Sequence, residues 1–368
     1  MKIQSISVWL KPLPLKKPYF LSGGRLRFDA LDATFVKLET DTGVTGWGEG
    51  TPWGHTYLPA HGPGIRAGIE TMAAAIIGLD PRNIEQVERA MDLCLPGHLY
   101  AKAPIDMACW DILGKATGLS IATLLGGADN QPTRIVSSVS TGAPAAMTAE
   151  IDRFRDLGYQ AHSVKVGADV ALDIERIRAI ESHRTNDEAI LYDVNRAWTR
   201  AEALRVMNAV RDLDVTFEQP CETLDDIAAI RPLTGAPISI DESLVTYHDG
   251  LRVVGDGSGE IFNIKINRVG GLTKARRLRD LALANGIQMY IMPTGGTVLA
   301  DTESTHLAQT IPTFARLGCW SCQDMIEDDP APGRGARNDH GSLVVDDAPG
   351  LGVEPDPTWL GDPLTVYE

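Results

Sequence analysis

Five charged residues stand at the ends of short apolar stretches. Lys165 closes AHSVK, Asp193 closes AILYD, Glu218 closes VTFE, Asp241 follows PISI and Lys265 closes IFNIK. Consecutive members are 23 to 28 residues apart, the length of one strand, one crossover helix and their turns. A charge within an apolar strand is unfavourable to bury unless it is paired or bound to a metal. Three carboxylates on neighbouring strands repel one another, and a hard divalent cation such as Mg2+, with its preference for oxygen ligands and its open positions for water or substrate, relieves that repulsion. The plainer alternative is a buried network in which the acids only pair with the two lysines. Lys165 and Lys265, four strands apart in an eight-stranded barrel, would point at a ligand from opposite sides. An ordinary ammonium, with a pKa of about 10.4, is a poor base at neutral pH, and desolvation together with nearby positive charge would have to lower it. Opposed lysines around a cation that grips a carboxylate describe abstraction of the adjacent proton. Asn195, two residues past Asp193, is expected to support the metal, and Glu242, beside Asp241, to partner Lys265.

These positions require a barrel. After Gly126-Gly127 the chain alternates apolar strands with amphipathic helices, the strands beginning at Arg134, Ala161, Ala189, Val215, Pro237, Ile261, Gln288 and Cys319. Eight such units predict a closed parallel barrel with its active residues at the C-terminal strand ends. The first 127 residues read as a separate α+β unit. Strands at Ile3–Val8, Ala33–Thr40 and Val44–Glu49 surround an Asp41-Thr42-Gly43 turn, and helical patterns run from Ile65 to about Gly127. We therefore expect a capping domain over 1–127, a barrel over 128–326 and a C-terminal segment, 327–368, that returns to the cap.

Composition narrows the partners. The 368 residues carry 34 Lys+Arg against 49 Asp+Glu, a net charge of −15, which argues against nucleic acid and anionic membranes. No apolar run approaches the roughly 20 residues that span a bilayer, and the N-terminus lacks the apolar core of a signal peptide, so a cytoplasmic enzyme is expected. Five cysteines fit reduced thiols; Cys319-Trp-Ser-Cys322 matches C-x-x-C but has no second pair with which to form a zinc site. The glycine-rich runs at Gly46–Gly50 and Gly255–Gly259 lack the context of nucleotide loops.

The set Ser163-Val-Lys165, Asp193-Val-Asn195, Glu218-Gln-Pro220, Asp241-Glu-Ser243 and Lys265-Ile-Asn-Arg-Val-Gly-Gly271, with Thr45–Glu49 and the Asp106–Gly114 segment, resembles the enolase superfamily, muconate lactonising enzyme subgroup, over essentially the whole chain. The resemblance implies an α/β fold, a (β/α)7β modified TIM barrel with an N-terminal α+β cap, with Mg2+ on Asp193, Glu218 and Asp241 and Lys165 and Lys265 as catalytic acid and base. One departure is Ser163, where the subgroup usually has a lysine that helps to depress the pKa of its neighbour. Two cap segments, Leu21–Arg25 and Pro52–Tyr57, would close the mouth. Trp53, Tyr57 and Trp320 would cage the substrate, His55 would reach it from the loop, and Thr294 and Gly295 would meet it after the seventh strand. This layout is similar to members acting on proline derivatives, the dehydratases of cis-3-hydroxy-L-proline and the epimerases of proline betaines. The betaine epimerases tend to carry an acid after the seventh strand, where this chain has Met292-Pro293-Thr294. A dehydratase of a proline-type amino acid, cis-3-hydroxy-L-proline first among them, is thus the leading expectation, with a two-lysine epimerase of proline or hydroxyproline betaine and a non-catalytic metal- or amino-acid-binding barrel as alternatives. Barrels with caps commonly form homo-oligomers, which is also expected here.

Overall fold

The computed structural model describes residues 1–129 and 131–368. The cap is built on a long hairpin, β1 (Ile3–Leu21) against β2 (Leu26–Thr40), with β3 (Thr45–Gly50) antiparallel on the far side of β2. Helices α1 (Gly62–Ile76), α2 (Ile84–Cys94) and α3 (Leu99–Thr117) follow, and α3 is buried along most of its length. The glycines of β3 have a packing reason: a Cβ on Gly46 would sit 2.1 Å from the Ala108 carbonyl oxygen, and one on Gly48 would sit 1.8 Å from that of Pro104. The strand can therefore lie directly on the backbone of α3. Asp111, buried on α3, fixes the same contact by accepting from the amides of Trp47 and Leu351 and from Lys115.

A short β4 (Thr133–Arg134) leads into the barrel. Its eight parallel strands are β5 (Val136–Val139), β6 (Ala161–Lys165), β7 (Ala189–Asp193), β8 (Thr216–Glu218), β9 (Ile238–Ile240), β10 (Ile261–Lys265), β11 (Gln288–Met292) and β12 (Arg316–Cys319), hydrogen-bonded in that order. A parallel bridge between Ile135 and Cys319 joins the last strand to the first. The strands are short and buried on both faces, β6 completely so, as a sheet enclosed by its helices requires. Their helices start on local signals in the sequence: Thr199 with Glu202 and Thr246 with Asp249 form capping boxes, and Gly286 takes the left-handed conformation just past helix Leu272–Ala284.

Beyond the barrel, β13 (Arg337–Asp339) and β14 (Ser342–Val344) pair with β4, and β15 (Thr365–Tyr367) adds to the free edge of β1. The eighth barrel strand lies earlier than the Cys319 start expected from sequence. Asp301, on helix Val298–Gln309, accepts from the amides of Cys322 and Gln323 and from Ser321 Oγ, and this turns the chain out of the sheet after Cys319. Cys319 and Cys322 are buried and unpaired, and burial pushes both thiols up. Among the described residues no helix is long and apolar enough to cross a membrane.

Replacing Gly48 by Ala forces β3 off α3 and is expected to lower the stability of the folded chain by about 1–3 kcal/mol, read as a lower urea midpoint. An unchanged midpoint would mean that the cap relaxes around the added methyl.

Candidate active site

The five charged residues meet at one end of the barrel. Lys165, Asp193, Glu218 and Lys265 are the last residues of β6, β7, β8 and β10, and Asp241 immediately follows β9. All are buried except that Lys265 keeps slight exposure. Lys165 donates to Asp193, and Lys265 Nζ lies 2.7 Å from Asp241 Oδ2. Arg268, whose type and place the sequence reading did not single out, puts Nη1 2.7 Å from Asp241 Oδ1 and donates also to the carbonyls of Leu244 and Asn263. Among the described residues no cation pairs directly with Glu218, which accepts from Asn263 Nδ2 at 2.5 Å.

The electrostatics follow from this arrangement. Burial, then the charges of Asp193 and Asp241, push the Glu218 carboxyl well above the usual range. Burial opposes the Asp241 carboxylate too, but Arg268 and Lys265 outweigh it and hold the group well below its ordinary value. The lysines do not show the lowering expected of a base. Burial works against each ammonium, yet Asp193 raises Lys165 and Asp241 raises Lys265 by more. As the side chains lie, the carboxylates are drawn to these ammoniums, and among the described residues no three carboxylate, imidazole or thiol groups stand in a coordinating array.

Above the barrel mouth, two cap segments converge on one dipeptide. Asn195 and Arg196 follow Asp193 in left-handed conformations, with φ of 46° and 64°. Such backbone is strained for residues other than glycine and persists where its surroundings fix it. Here they are fixed from several sides. The tip of the β1–β2 hairpin puts Ser22 Oγ 3.1 Å from the Asn195 carbonyl oxygen, and Gly23, at φ +66°, sits so close to Gly167 that a Cβ would be 2.4 Å from its carbonyl. From the second segment, Tyr57 donates to Glu242, its hydroxyl lies 3.2 Å from Asn195 Nδ2, and its carbonyl accepts from Arg196 at 2.7 Å. Asn195 itself bonds Asp193 through both its amide and its side chain, at 2.9 and 3.1 Å. Burial, followed by Glu242 and Asp241, pushes the Tyr57 hydroxyl well above its normal range, so it remains a donor. Burial and the charges of Asp241 and Asp193 push Glu242 up to about 7.

One cavity is lined by Lys165, Asp193, Asn195, Glu218 and Lys265 with Trp53, Tyr57 and Trp320, and also by Tyr19, Leu21, Ser138, Ser163 and Met292. Trp53 stacks on Tyr19 with centroids 4.9 Å apart and lies 6.0 Å from Trp320. Three residues expected at the substrate, His55, Thr294 and Gly295, are not among the residues that line this cavity. His55 is exposed, whereas Pro52, Trp53 and Tyr57 of the same segment are buried. Thr294 is buried against Tyr100 of α3, and Gly295 packs against Leu31 and Thr51 of the cap. Glu49 holds that loop in place, accepting from Thr297 N at 3.0 Å and Thr297 Oγ1 at 2.7 Å.

Comparison with known proteins decides the family. The Enolase C-terminal domain-like description matches residues 146–359, and the Mandelate racemase / muconate lactonizing enzyme N-terminal domain matches residues 8–126. The chain belongs to the enolase superfamily. It is similar to the cis-3-hydroxy-L-proline dehydratase of Roseibium aggregatum, 40% identical over the whole of both chains, and to the N-succinyl-L-Arg/Lys racemase of Bacillus cereus, 29% identical over 100% of this chain and 99% of the other. A crystal structure of an enolase superfamily member from Roseovarius nubinhibens, complexed with magnesium, is 50% identical, with a TM-score of 0.96 over 100% of this chain and 99% of that one.

The donor set fits the kind of metal seen in that neighbour. Asp193, Glu218 and Asp241 offer oxygen atoms only and are buried side by side, and burial, followed by the charges of Asp193 and Asp241, pushes Glu218 up. A hard divalent cation suits such a set, and thiol- or imidazole-preferring metals do not. Tyr19 could not be found by periodicity, because it lies past the irregular register between Pro14 and Tyr19 in β1, and its hydrogen-bond partner Ser138 is 119 residues away in sequence.

Replacing Tyr57 by Phe removes the donor to Glu242 and the partner of Asn195. The 51–60 segment is then expected to be cut faster by protease, with a loss of about 1–3 kcal/mol in stability. An unaltered cleavage rate and midpoint would show that Tyr57 does not fasten this segment.

Proposed function

We propose that this enolase superfamily enzyme removes the α-proton of a small cyclic amino acid and expels its β-hydroxyl as water, with cis-3-hydroxy-L-proline as substrate and Mg2+ as its metal. The carrying observation is the placement of Lys165 and Lys265 on β6 and β10, four strands apart, with the three carboxylates of β7 to β9 between them. The full-length similarity to a cis-3-hydroxy-L-proline dehydratase supports the substrate. The cavity supports it too: among the described residues that line it, β11 contributes Met292 and no acid that would face a quaternary nitrogen.

Asp193, Glu218 and Asp241 would hold Mg2+, which when bound supplies a Lewis acid for the substrate carboxylate. Carboxylates committed in that way would no longer hold Lys165 and Lys265 as ammoniums, and the lysines would be free to exchange protons with a ligand. One lysine amine takes the α-proton. The electrons of that bond form a carbon–carbon double bond as the C–O bond breaks, and the ammonium of the other lysine protonates the departing oxygen, which leaves as water. Asn195 would keep Asp193 aimed inward through its two hydrogen bonds. The aromatic group of Tyr19, Trp53 and Trp320, with the hairpin tip above it, would exclude bulk water.

A second reading is an epimerase, favoured by the racemase relative and by the same opposed lysines. Incubation with cis-3-hydroxy-L-proline and Mg2+ in D2O separates the two. The proposal expects an unsaturated or imine product and a loss of the order of 10²–10⁴-fold in rate in Lys165→Ala and in Lys265→Ala. Recovery of deuterated, inverted substrate without dehydration would replace it with the epimerase. Inertness towards proline derivatives, with turnover of another carboxylate, would remove the substrate assignment.

A further inference from the structure

Apart from its charged residues, the cavity carries two separate polar groups, of which one, Tyr57 with Asn195, belongs to the network around Asp193 and Glu242. The cap and the Lys165 side carry the hydroxyls of Tyr19, Ser138 on β5 and Ser163 on β6, whereas β11 and the chain just past β12 contribute Met292 and Trp320. Tyr19 OH lies 2.6 Å from Ser138 Oγ, bridging the cap hairpin and the first barrel strand. The Tyr19 ring is stacked on Trp53, 6.3 Å from Trp320, and its centroid is 5.9 Å from Lys165 Nζ.

Barrel order fixes what this pair can reach. The carboxylates occupy β7 to β9, so a ligand whose carboxylate is turned towards them extends its remaining carbons towards β11, β12 and β5. On that far side Met292 and Trp320 offer mainly apolar surface, and the hydrogen-bonding group is Ser138, with Tyr19 above it. Two hydroxyls bonded to each other use one of their two protons, which leaves one donor and several lone pairs. A carboxylate requires donors alone and an ammonium acceptors alone. The group that matches a mixed pair is an alcohol.

Building on the dehydratase reading, we infer that Tyr19 and Ser138 form the subsite for the ring hydroxyl of the ligand and select hydroxylated over plain proline. Their bond also ties the hairpin to the barrel, and a purely fastening role would affect every ligand alike. The two roles therefore separate on the preference between ligands.

The test uses the full chain with saturating Mg2+, as Tyr19→Phe and as Ser138→Ala, two single-oxygen deletions on different elements. Dissociation constants for cis-3-hydroxy-L-proline and L-proline are read by tryptophan fluorescence, with kcat/KM for the hydroxylated compound. The wild type should prefer the hydroxylated ligand, and either variant should lose about tenfold of that preference, the worth of one hydrogen bond. A preference unchanged in both variants, or equal weakening of both ligands, overturns the subsite while leaving the reaction in place. If the wild type neither binds nor converts either compound, the proposed substrate itself fails and the subsite with it.

Discussion

The structure is organised around one unfavourable fact: three carboxylates, Asp193, Glu218 and Asp241, are buried side by side at the ends of adjacent strands. Water cannot screen them there, and burial together with the charges of Asp193 and Asp241 raises the Glu218 carboxyl. The rest of the site answers that repulsion. Lys165 meets Asp193, Lys265 and Arg268 share Asp241, and Asn263 satisfies one oxygen of Glu218. A fold that needed only stability would do better with apolar residues at these positions, since buried ion pairs contribute little net free energy. We propose instead that they form a site for a divalent cation and a substrate carboxylate, in which both lysines would be released once the acids hold the metal.

The same centre governs the cap. Asp193 fixes Asn195, Asn195 and Arg196 adopt strained left-handed backbone, and both mouth segments fasten to them through Ser22 and Tyr57. Closure of the mouth and the orientation of Asp193 are thereby parts of one network. The capping domain acts as more than a cover: through Tyr19, Leu21, Trp53 and Tyr57 it supplies the upper wall of the cavity.

The barrel and its charged rim were legible in the sequence because their signal is local. A charge at the end of an apolar run is visible without knowledge of contacts, and spacing of one β/α unit places successive charges on one rim. Family resemblance then supplied their expected roles. What local patterns do not carry is which loop residues turn inward. His55 lies two residues from buried Trp53 and is exposed, and Thr294 and Gly295 are held against the cap by contacts with Tyr100, Leu31 and Thr51. Tyr19 and Ser138 meet across 119 residues of chain, and Arg268 lies three residues past Lys265 on a short helical turn, so neither feature has a periodic signature. The glycines of Gly46–Gly50 leave the room that α3 needs.

The central claim is that the three carboxylates are a metal site and not only partners of the lysines. Calorimetric titration of the full chain with Mg2+ tests it most directly, beside Glu218→Gln, which keeps the side-chain shape and removes one charge. The account predicts one saturable divalent ion per chain in the wild type and a large loss of that affinity in the variant. No saturable binding, or binding indifferent to Glu218, would show that the acids serve the lysines alone.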